Sequence, residues 1–386
     1  MSNRSAAVPT MLMARELGPG GTERQLTELA RSLDPSRFEV HVGCFKEGIR
    51  ADELHRHGIP ILRLPITSFK EPSAFSGIRQ LISYLRKHKI RLVHTFDYPL
   101  NCFGVPVARA ARVPVVLSSQ RADRRLIPRS YLKVLRVTDR LVSGIIVNSQ
   151  AVWSEMVGTE HVPTSLLHLC YNGIDIERFH SEGRQRVPAL ADASVVIGVV
   201  CVLRPEKDVA TLIEAFARVL AQDRNLRLAI VGSGPELARL ENLAQELRVS
   251  DRCVFEPAVS GVASWLRSID IFVLPSVSEA FSNSLMEAMA CGCACIASRI
   301  GGNPEMIRDE ETGLLFEPGD SRDLAEKLSR VLDDAGLRSR LAQAGTRAIR
   351  DGFSLAASTK RMQEIYTGYL RKELRLPVGK VVCQTQ

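Results

Sequence analysis

The sequence is poor in aromatic residues and has no long apolar run. Aromatic residues make up 5% of the 386 residues, against 45% hydrophobic and 24% charged. The overall usage is that of a folded globular chain, and the length suits two domains. The longest apolar runs, such as residues 195–203, are about half as long as a bilayer-spanning helix. We interpret them as buried strands and predict no transmembrane helix.

The N-terminus lacks the features of a secretory signal. Its apolar run is broken by Pro9 and Thr10, and it is followed by Arg15 and Glu16 where small residues would mark a cleavage site. We therefore expect no secretory signal.

The sequence also lacks a recognisable metal-binding pattern. Cys291, Cys293 and Cys295 form a C-x-C-x-C, but no second cysteine pair or histidine cluster accompanies them as in zinc sites. We expect the three to be small buried residues in a reducing compartment, on one face of a strand.

One segment is strongly basic. Residues 121–140 carry seven Arg or Lys against two Asp, with apolar residues interleaved at roughly helical spacing. Such a helix either lies on an anionic membrane surface or turns its apolar side towards its own core. No nucleic-acid partner is expected, because no helix-turn-helix, RNP or zinc-finger pattern accompanies the charge.

Strand and helix patterns alternate along the chain and then restart after a polar stretch ending near residue 185. This alternation predicts an α/β protein with two doubly wound domains of parallel strands, 1–184 and 185–358. Ligands of such domains bind at the carboxyl ends of the strands.

The strand ends of the second domain carry residues suited to a diphosphate. Arg204 and Lys207 follow its first strand, and Gly232 and Gly234 follow the next. Glycine allows close backbone approach to a ligand, and a helix N-terminus with two cations binds phosphate.

Two glutamates, Glu279 and Glu287, stand on either side of a predicted helix start between Ser282 and Ser284. Ser284 and Glu287 fit the S-x-x-E capping box, so Glu287 has a purely structural alternative. Otherwise a loop glutamate and a glutamate on the helix converge on hydroxyl groups of one ligand. A ligand with hydroxyls at both ends and a diphosphate between them is a nucleotide sugar.

The segments "RPEK", "VGSGPE", "LPSVSEAFSNSLMEAMACGCACIAS" and "GGNPE" resemble, in order and spacing, the retaining GT-B glycosyltransferases of family four. "GPGGTERQ" and "NGID" in the first half are also similar. The resemblance covers roughly residues 9–370. It implies GT-B architecture, with two Rossmann-like domains facing across a cleft, an acceptor domain followed by a nucleotide-sugar donor domain.

The resemblance also implies roles for individual residues. Arg204 and Lys207 bind the donor diphosphate and stabilise its departure, and Glu279 holds hydroxyls of the donor sugar near the anomeric carbon. Glu287 holds the ribose hydroxyls, and no metal or other cofactor is expected. The complete set of expected donor contacts outside the catalytic residues is Gly20, Gly21, Gly232, Ser282, Asn283, Ser284, Leu285 and Glu287.

The acceptor side departs from the family. Relatives often have a His-Thr pair where this chain has Gln120 and Arg121, and His94 lies at a neighbouring strand end, where a structural role is an alternative. These three residues are the candidate acceptor contacts. The segment 355–374 has helical periodicity, and residues 359–374 are expected to cross back to the first domain, followed by a loose tail, 375–386.

The resemblance implies transfer of a hexose from a UDP- or GDP-linked donor, with retention by front-face displacement, to a saccharide or lipid-linked acceptor. This chemistry belongs to polysaccharide or glycolipid biosynthesis, in the cytoplasm or on the inner face of its membrane. A nucleotide-sugar 2-epimerase of the same architecture and a non-catalytic nucleotide-sugar binder are the alternatives. A dinucleotide oxidoreductase fits less well, because "GPGGTE" lacks the G-x-G-x-x-G spacing.

Overall fold

A computed structural model of the chain describes residues 7–69, 71–220, 225–257 and 261–374. The chain forms two compact units. Unit 1 comprises Met1–Tyr171 and Leu355–Gln386, and unit 2 comprises Asn172–Ser354.

The predicted domain boundaries need correction at both ends of unit 2. The first boundary lies after Tyr171 instead of residue 184, because the segment that follows is tied to unit 2. The Arg184 guanidinium, for example, donates to the backbone carbonyls of Ile269 at 2.6 Å and Gly292 at 2.7 Å. The last helix begins at Leu355 and belongs wholly to unit 1, whereas the crossing segment was expected from residue 359. The predicted tail 375–386 lies outside the described residues.

In its described residues, unit 1 holds a parallel seven-stranded sheet. The strands are β1 (Val8–Met13), β2 (Phe38–Cys44), β3 (Ile61–Arg63), β4 (Leu92–Thr95), β5 (Val115–Gln120), β6 (Gly144–Val147) and β7 (Leu167–Leu169). The helices are α1 (Gly21–Ser32), α2 (Ile49–Arg56), α3 (Pro72–Lys87), α4 (Tyr98–Ala110), α5 (Arg129–Thr138), α6 (Gln150–Gly158) and the last helix of the chain (Leu355–Leu374). The strand order is β3-β2-β1-β4-β5-β6-β7.

The described part of unit 2 holds a parallel six-stranded sheet. Its strands are β8 (Val195–Val200), β9 (Leu226–Val231), β10 (Cys253–Glu256), β11 (Ile271–Leu274), β12 (Ala294–Ser298) and β13 (Leu314–Phe316). Its helices are α7 (Val209–Leu220), α8 (Leu237–Glu246), α9 (Val262–Ser268), α10 (Asn283–Ala290), α11 (Asn303–Met306), α12 (Ser321–Asp333) and α13 (Ala335–Gly352). The last helix of the chain, which belongs to unit 1, is α14. The strand order is β10-β9-β8-β11-β12-β13.

The central strands of the two sheets, such as β8, are apolar because both of their faces are covered. β8, with the sequence VVIGVV, is buried from its second residue onwards. β-Branched residues suit such strands, and parallel sheets are normally buried on both sides. In β8 and β9 the register pairs Ile197 with Leu228. Both residues are fully buried in the core of unit 2.

In each sheet the strands are parallel, but the direction in which successive strands are added to the sheet reverses at one point. In unit 2 it falls between β8 and β11, and in unit 1 between β1 and β4. Ligands of doubly wound sheets bind outside the carboxyl ends of the strands at such a point. The loops that follow β8 and β11 therefore lie where a ligand of unit 2 is expected to bind.

Candidate functional site

The loops after β8 and β11 meet through an ion pair. The Lys207 Nζ lies 2.5 Å from the Glu279 Oε2, and both side chains are mostly buried. Burial lowers the pKa of the Lys207 ammonium, but attraction to Glu279 outweighs it and raises that pKa above its ordinary value. A permanent cation and a carboxylate thus lie together at the switch point of the sheet.

Backbone hydrogen bonds fix the loop that carries Lys207. The Leu203 N–H donates to the Ser233 carbonyl at 3.0 Å, and the Glu236 N–H donates to the Leu203 carbonyl at 3.1 Å. On the other side, the Val277 N–H donates to the Glu206 carbonyl at 3.0 Å. The loops after β8, β9 and β11 therefore hold one another in place.

Gly232 and Gly234 make this close packing of loops feasible. A Cβ on Gly232, whose φ is +146°, would lie 1.8 Å from the Cys201 carbonyl oxygen, and one on Gly234 would lie 2.2 Å from that of Leu203. We expected these glycines to admit a ligand. In the structure, the two glycines pack closely against the loop that leads to Arg204 and Lys207. The contact of Gly232 with the donor stays a prediction.

Arg204 extends from the same loop and is largely exposed. Its guanidinium lies 3.9 Å from the Glu206 carboxylate, with 61% of the side chain accessible. An ion pair this long and exposed leaves the guanidinium able to move towards a ligand.

The helix α10 begins where the sequence predicted, with a different cap. Its N-cap is Ser282, whose Oγ accepts a hydrogen bond from the Leu285 N–H at 3.3 Å. The capping box of Ser284 and Glu287 is therefore wrong, because Glu287 lies two residues too far along the helix to reach the cap. Glu287 is a buried carboxylate in the second turn, 4% exposed, and Glu279 lies in the preceding loop as predicted.

Two further residues position these loops and were not singled out from the sequence. The Asn172 side-chain amide donates to the Phe281 carbonyl at 3.3 Å and to the Asn283 Oδ1 at 2.8 Å. Gly301 has φ of +54°, and a Cβ there would lie 1.6 Å from the Glu279 carbonyl oxygen. Both residues occur within motifs of the resemblance, "NGID" and "GGNPE". These motifs are the sequence signal by which the two residues could have been found.

The three cysteines of the C-x-C-x-C are buried, each at most 1% exposed. They do not share one face of a strand, because Cys291 ends α10 and only Cys295 lies within β12. In the residues that the structure describes, no three His, Cys, Asp or Glu side chains are grouped as metal ligands would be.

The predicted acceptor residues lie in unit 1, and two of them are engaged within it. His94 is fully buried, with Nδ1 2.6 Å from the Tyr366 hydroxyl and Nε2 2.8 Å from the Ser119 hydroxyl. Burial, followed by the charge of Arg121, lowers the His94 pKa well below 6.5. The Gln120 amide donates to the Ala122 carbonyl at 2.6 Å. These contacts favour structural roles for His94 and Gln120.

Arg121 remains the acceptor candidate with the most unusual setting. It lines a small pocket of unit 1 with Phe96, Cys170 and residues of α14. Its guanidinium carbon lies 5.5 Å from the centroid of the Phe96 ring, and burial lowers its pKa to about 10. Gly20 and Gly21, also in unit 1, form the N-cap and first residue of α1. Their predicted donor contacts stay predictions.

Comparisons with known proteins show which family this chain resembles. Residues 183–348 match the family model for glycosyl transferases group 1, and residues 19–178 match that for glycosyltransferase family 4. The chain is 34% identical over 293 residues to a D-inositol 3-phosphate glycosyltransferase of Thermomonospora curvata, covering 69% of this chain and 67% of that protein. It is 24% identical to the Escherichia coli UDP-Gal:alpha-D-GlcNAc-diphosphoundecaprenol alpha-1,3-galactosyltransferase, over 90% of this chain and 93% of that one.

The fold is also found in solved structures. Anabaena HepE, crystallised in complex with UDP-glucose, has a TM-score of 0.82 and 21% sequence identity, covering 93% of this chain and 99% of that one. The expected architecture of two Rossmann-like domains, the GT-B fold, is thereby confirmed.

Proposed function

We propose a function for this chain from the fact that it belongs to glycosyltransferase family 4 and uses a nucleotide sugar. It transfers a hexose with retention of configuration and without a metal. The observation that carries the proposal is the Lys207–Glu279 pair beside the N-terminus of α10. The 2-epimerase and the non-catalytic binder have no support from the relatives described above.

Each part of the donor has a counterpart in unit 2. The Lys207 ammonium and the Arg204 guanidinium neutralise the diphosphate, and the first-turn N–H groups of α10 add the positive end of the helix dipole. Glu279 accepts hydrogen bonds from sugar hydroxyls, and Glu287 from the ribose. Because Lys207 already holds Glu279, one contact orients the carboxylate towards the sugar and the ammonium towards the phosphate.

The reaction then needs orientation and charge stabilisation more than a nucleophile. The bond from the anomeric carbon to the β-phosphate oxygen breaks, and a bond to the acceptor oxygen forms on the same face. The acceptor's hydroxyl proton passes to the departing phosphate oxygen, and Arg204 and Lys207 stabilise the charge that develops there. The helix dipole and the two cations stabilise the negative charge of the leaving phosphate, as a divalent metal ion does in other enzymes.

A thermal-shift screen with UDP, GDP and their hexose conjugates tests the donor site. UDP is the favoured nucleotide, since the HepE complex holds UDP-glucose and the E. coli relative uses UDP-Gal. We expect an upward shift with one nucleotide class that is unaffected by EDTA and lost in Glu287→Ala and Arg204→Ala. Shifts that survive both substitutions contradict the site, and the anomeric configuration of the product by NMR decides retention.

We further propose that α5 and its flanks bind an anionic membrane surface. Leu126, Val134, Val137 and Leu141 are between 39% and 58% exposed, so the apolar side of this segment is only partly covered by the core. Exposed Arg and Lys side chains alternate with them, as in helices that lie in a bilayer interface. In the described part of the chain, no helix is both long and apolar enough to span a membrane.

Sedimentation with liposomes tests this contact. Wild-type protein is expected to pellet with vesicles containing anionic lipid at low salt, and Val137→Glu to remain in the supernatant. Leu247→Glu, at a residue of unit 2 that is 37% exposed, is the matched control and is expected to pellet. Equal pelleting of both variants contradicts the role of α5.

A further inference from the structure

Three fully buried polar side chains connect the loop that carries Glu279 to the loop after β12. Ser276 lies two residues after β11, Ser298 ends β12 and Asn303 begins α11, and each is 0% exposed. The Ser298 hydroxyl donates to the Ser276 carbonyl at 2.5 Å, and the Asn303 side-chain amide donates to the Ser298 carbonyl at 3.0 Å. These three residues form a buried polar cluster within unit 2.

The buried polar cluster is an unfavourable way to fill this part of the core. The Ser276 Oγ and the Asn303 Oδ1 are buried and have no hydrogen-bond partner among the residues that the structure describes. A buried polar atom without a partner costs free energy, whereas an apolar side chain would fill the same space without that cost. Packing alone therefore does not account for the cluster, which favours a role at the neighbouring site.

Asn303 closes the turn that lies against Glu279. The Ser298 carbonyl accepts a second hydrogen bond, from the Ile300 N–H at 2.9 Å, and the Asn303 N–H donates to the Ile300 carbonyl at 3.1 Å. Gly301 lies within this turn, and a Cβ on it would lie 1.6 Å from the Glu279 carbonyl oxygen. The turn is therefore in close contact with the Glu279 backbone.

The loop that carries Glu279 is thus held at two points. The Ser298 hydroxyl holds the chain at Ser276, three residues before Glu279. Gly301 borders the Glu279 backbone itself. Asn303 supports both contacts, because its side-chain amide bonds to Ser298 and its backbone N–H closes the turn that contains Gly301.

From these contacts we infer that Asn303 is a positioning residue for Glu279, acting on it through Ser298 and the turn between them. This inference rests on the proposed function, in which Glu279 accepts hydrogen bonds from hydroxyls of the donor sugar. The diphosphate and the ribose have other partners in unit 2. Asn303 therefore determines how tightly the sugar is held, with little effect on the binding of the nucleoside diphosphate alone.

Calorimetric titration tests the inference, with the nucleoside diphosphate and the hexose conjugate that the thermal-shift screen selects. Asn303→Ala removes the side-chain amide, and Ser298→Ala removes the hydroxyl that bonds to the Ser276 carbonyl with a smaller change of volume. In both variants we expect the Kd of the conjugate, divided by the Kd of the nucleoside diphosphate, to rise by roughly fivefold or more. A loss of stability alone would leave this ratio unchanged.

Asn225→Ala is the matched control. The Asn225 side-chain amide also donates to a backbone carbonyl of unit 2, that of Asp192 at 2.7 Å. Asn225 directly precedes β9, so it lies at the opposite edge of the sheet from the carboxyl ends of the strands. We expect this variant to keep the wild-type ratio. The double variant of Asn303 and Ser298 should change the ratio by less than the product of the two single changes, since both act through one contact.

Three results overturn the inference: a wild-type ratio in both Asn303→Ala and Ser298→Ala, an equal change in Asn225→Ala, or a double variant equal to the product of the single changes. Binding by the wild type separates this failure from failure of the proposed function. If the wild type binds the nucleoside diphosphate and its hexose conjugate, the donor site stands and only the role of Asn303 is withdrawn. If it binds neither, the proposed function itself fails.

Discussion

At the scale of single residues, the proposed donor site depends on the ion pair between Lys207 and Glu279. Removing Lys207 leaves the mostly buried Glu279 carboxylate without its cation and takes one positive charge from the proposed diphosphate site. An unpaired buried charge destabilises the folded protein, and the loss of transition-state stabilisation slows the reaction.

We therefore expect Lys207→Ala to lower kcat/KM by roughly 10²- to 10³-fold. Arg330→Ala is the control, because Arg330 forms a surface ion pair with Glu310 at 2.7 Å. Surface pairs contribute little, so the control should keep its activity. Steady-state kinetics with the donor identified by thermal shift checks both, and equal losses would contradict the role of Lys207.

Gly301 gives a second prediction at this scale. Gly301→Ala places a Cβ against the Glu279 backbone, so we expect Glu279 to move and donor binding to fall by more than about tenfold. Gly319 has φ of +77° but nothing within 4 Å of an added Cβ. Gly319→Ala thus carries the backbone strain alone, and calorimetric titration should find its donor affinity unchanged.

At the scale of elements, the N-caps of α10 and α12 have different expected roles. The cap of α10 should contribute to protein stability and to nucleotide binding, and the cap of α12 to stability alone. Ser282→Ala removes the cap of α10 and should cost about 1 kcal/mol in the free energy of unfolding. It should also weaken nucleotide binding, because the proposed donor site places a phosphate at the first turn of α10. Asp320→Ala removes the cap of α12, where Asp320 accepts from two backbone N–H groups, and should cost stability only. Urea unfolding and nucleotide titration on the same samples test this difference.

Asp97, whose carboxylate caps the N-terminus of α4, predicts that the stability of the fold depends on pH. Burial raises the pKa of Asp97 to about 6, although its carboxylate accepts hydrogen bonds from the backbone of Arg15 and Leu100. Between its ordinary pKa and about 6, the folded state binds more protons than the unfolded state, so this group adds stability as the pH falls. From pH 7 to pH 5 we expect wild type to gain about 1 kcal/mol relative to Asp97→Asn in urea unfolding. A constant difference would contradict the raised pKa.

The sequence predicted more of the elements than of their contacts. Apolar runs and helical periodicity predicted the parallel strands and the start of α10. The strands could be predicted because a strand buried on both faces is a continuous apolar run in the sequence. The sequence left the N-cap of α10 open, because Ser282 and Ser284 are both suitable N-cap residues. The pairing of Lys207 with Glu279 and the close approach of Gly301 depend on atoms that are distant along the chain, and no local pattern reports them.

At the scale of the whole molecule, each unit contains one of the two tryptophans, Trp153 in unit 1 and Trp265 in unit 2. Since the proposed donor residues with charged side chains lie in unit 2, UDP at about 100 times its Kd should stabilise that unit by about 2.7 kcal/mol. In single-tryptophan variants, we expect UDP to raise the unfolding midpoint reported by Trp265 at least as much as that reported by Trp153. A shift seen by Trp153 alone would place the nucleotide elsewhere.

Unit 1 is made of two stretches of chain with all of unit 2 inserted between them. Tyr366 of α14 is fully buried in the core of unit 1 and is hydrogen-bonded to His94. During synthesis on the ribosome, unit 2 is therefore fully translated while unit 1 still lacks a helix of its core. The part of the chain that is made first becomes the last to complete its fold, and until then it exposes the apolar surface that α14 covers.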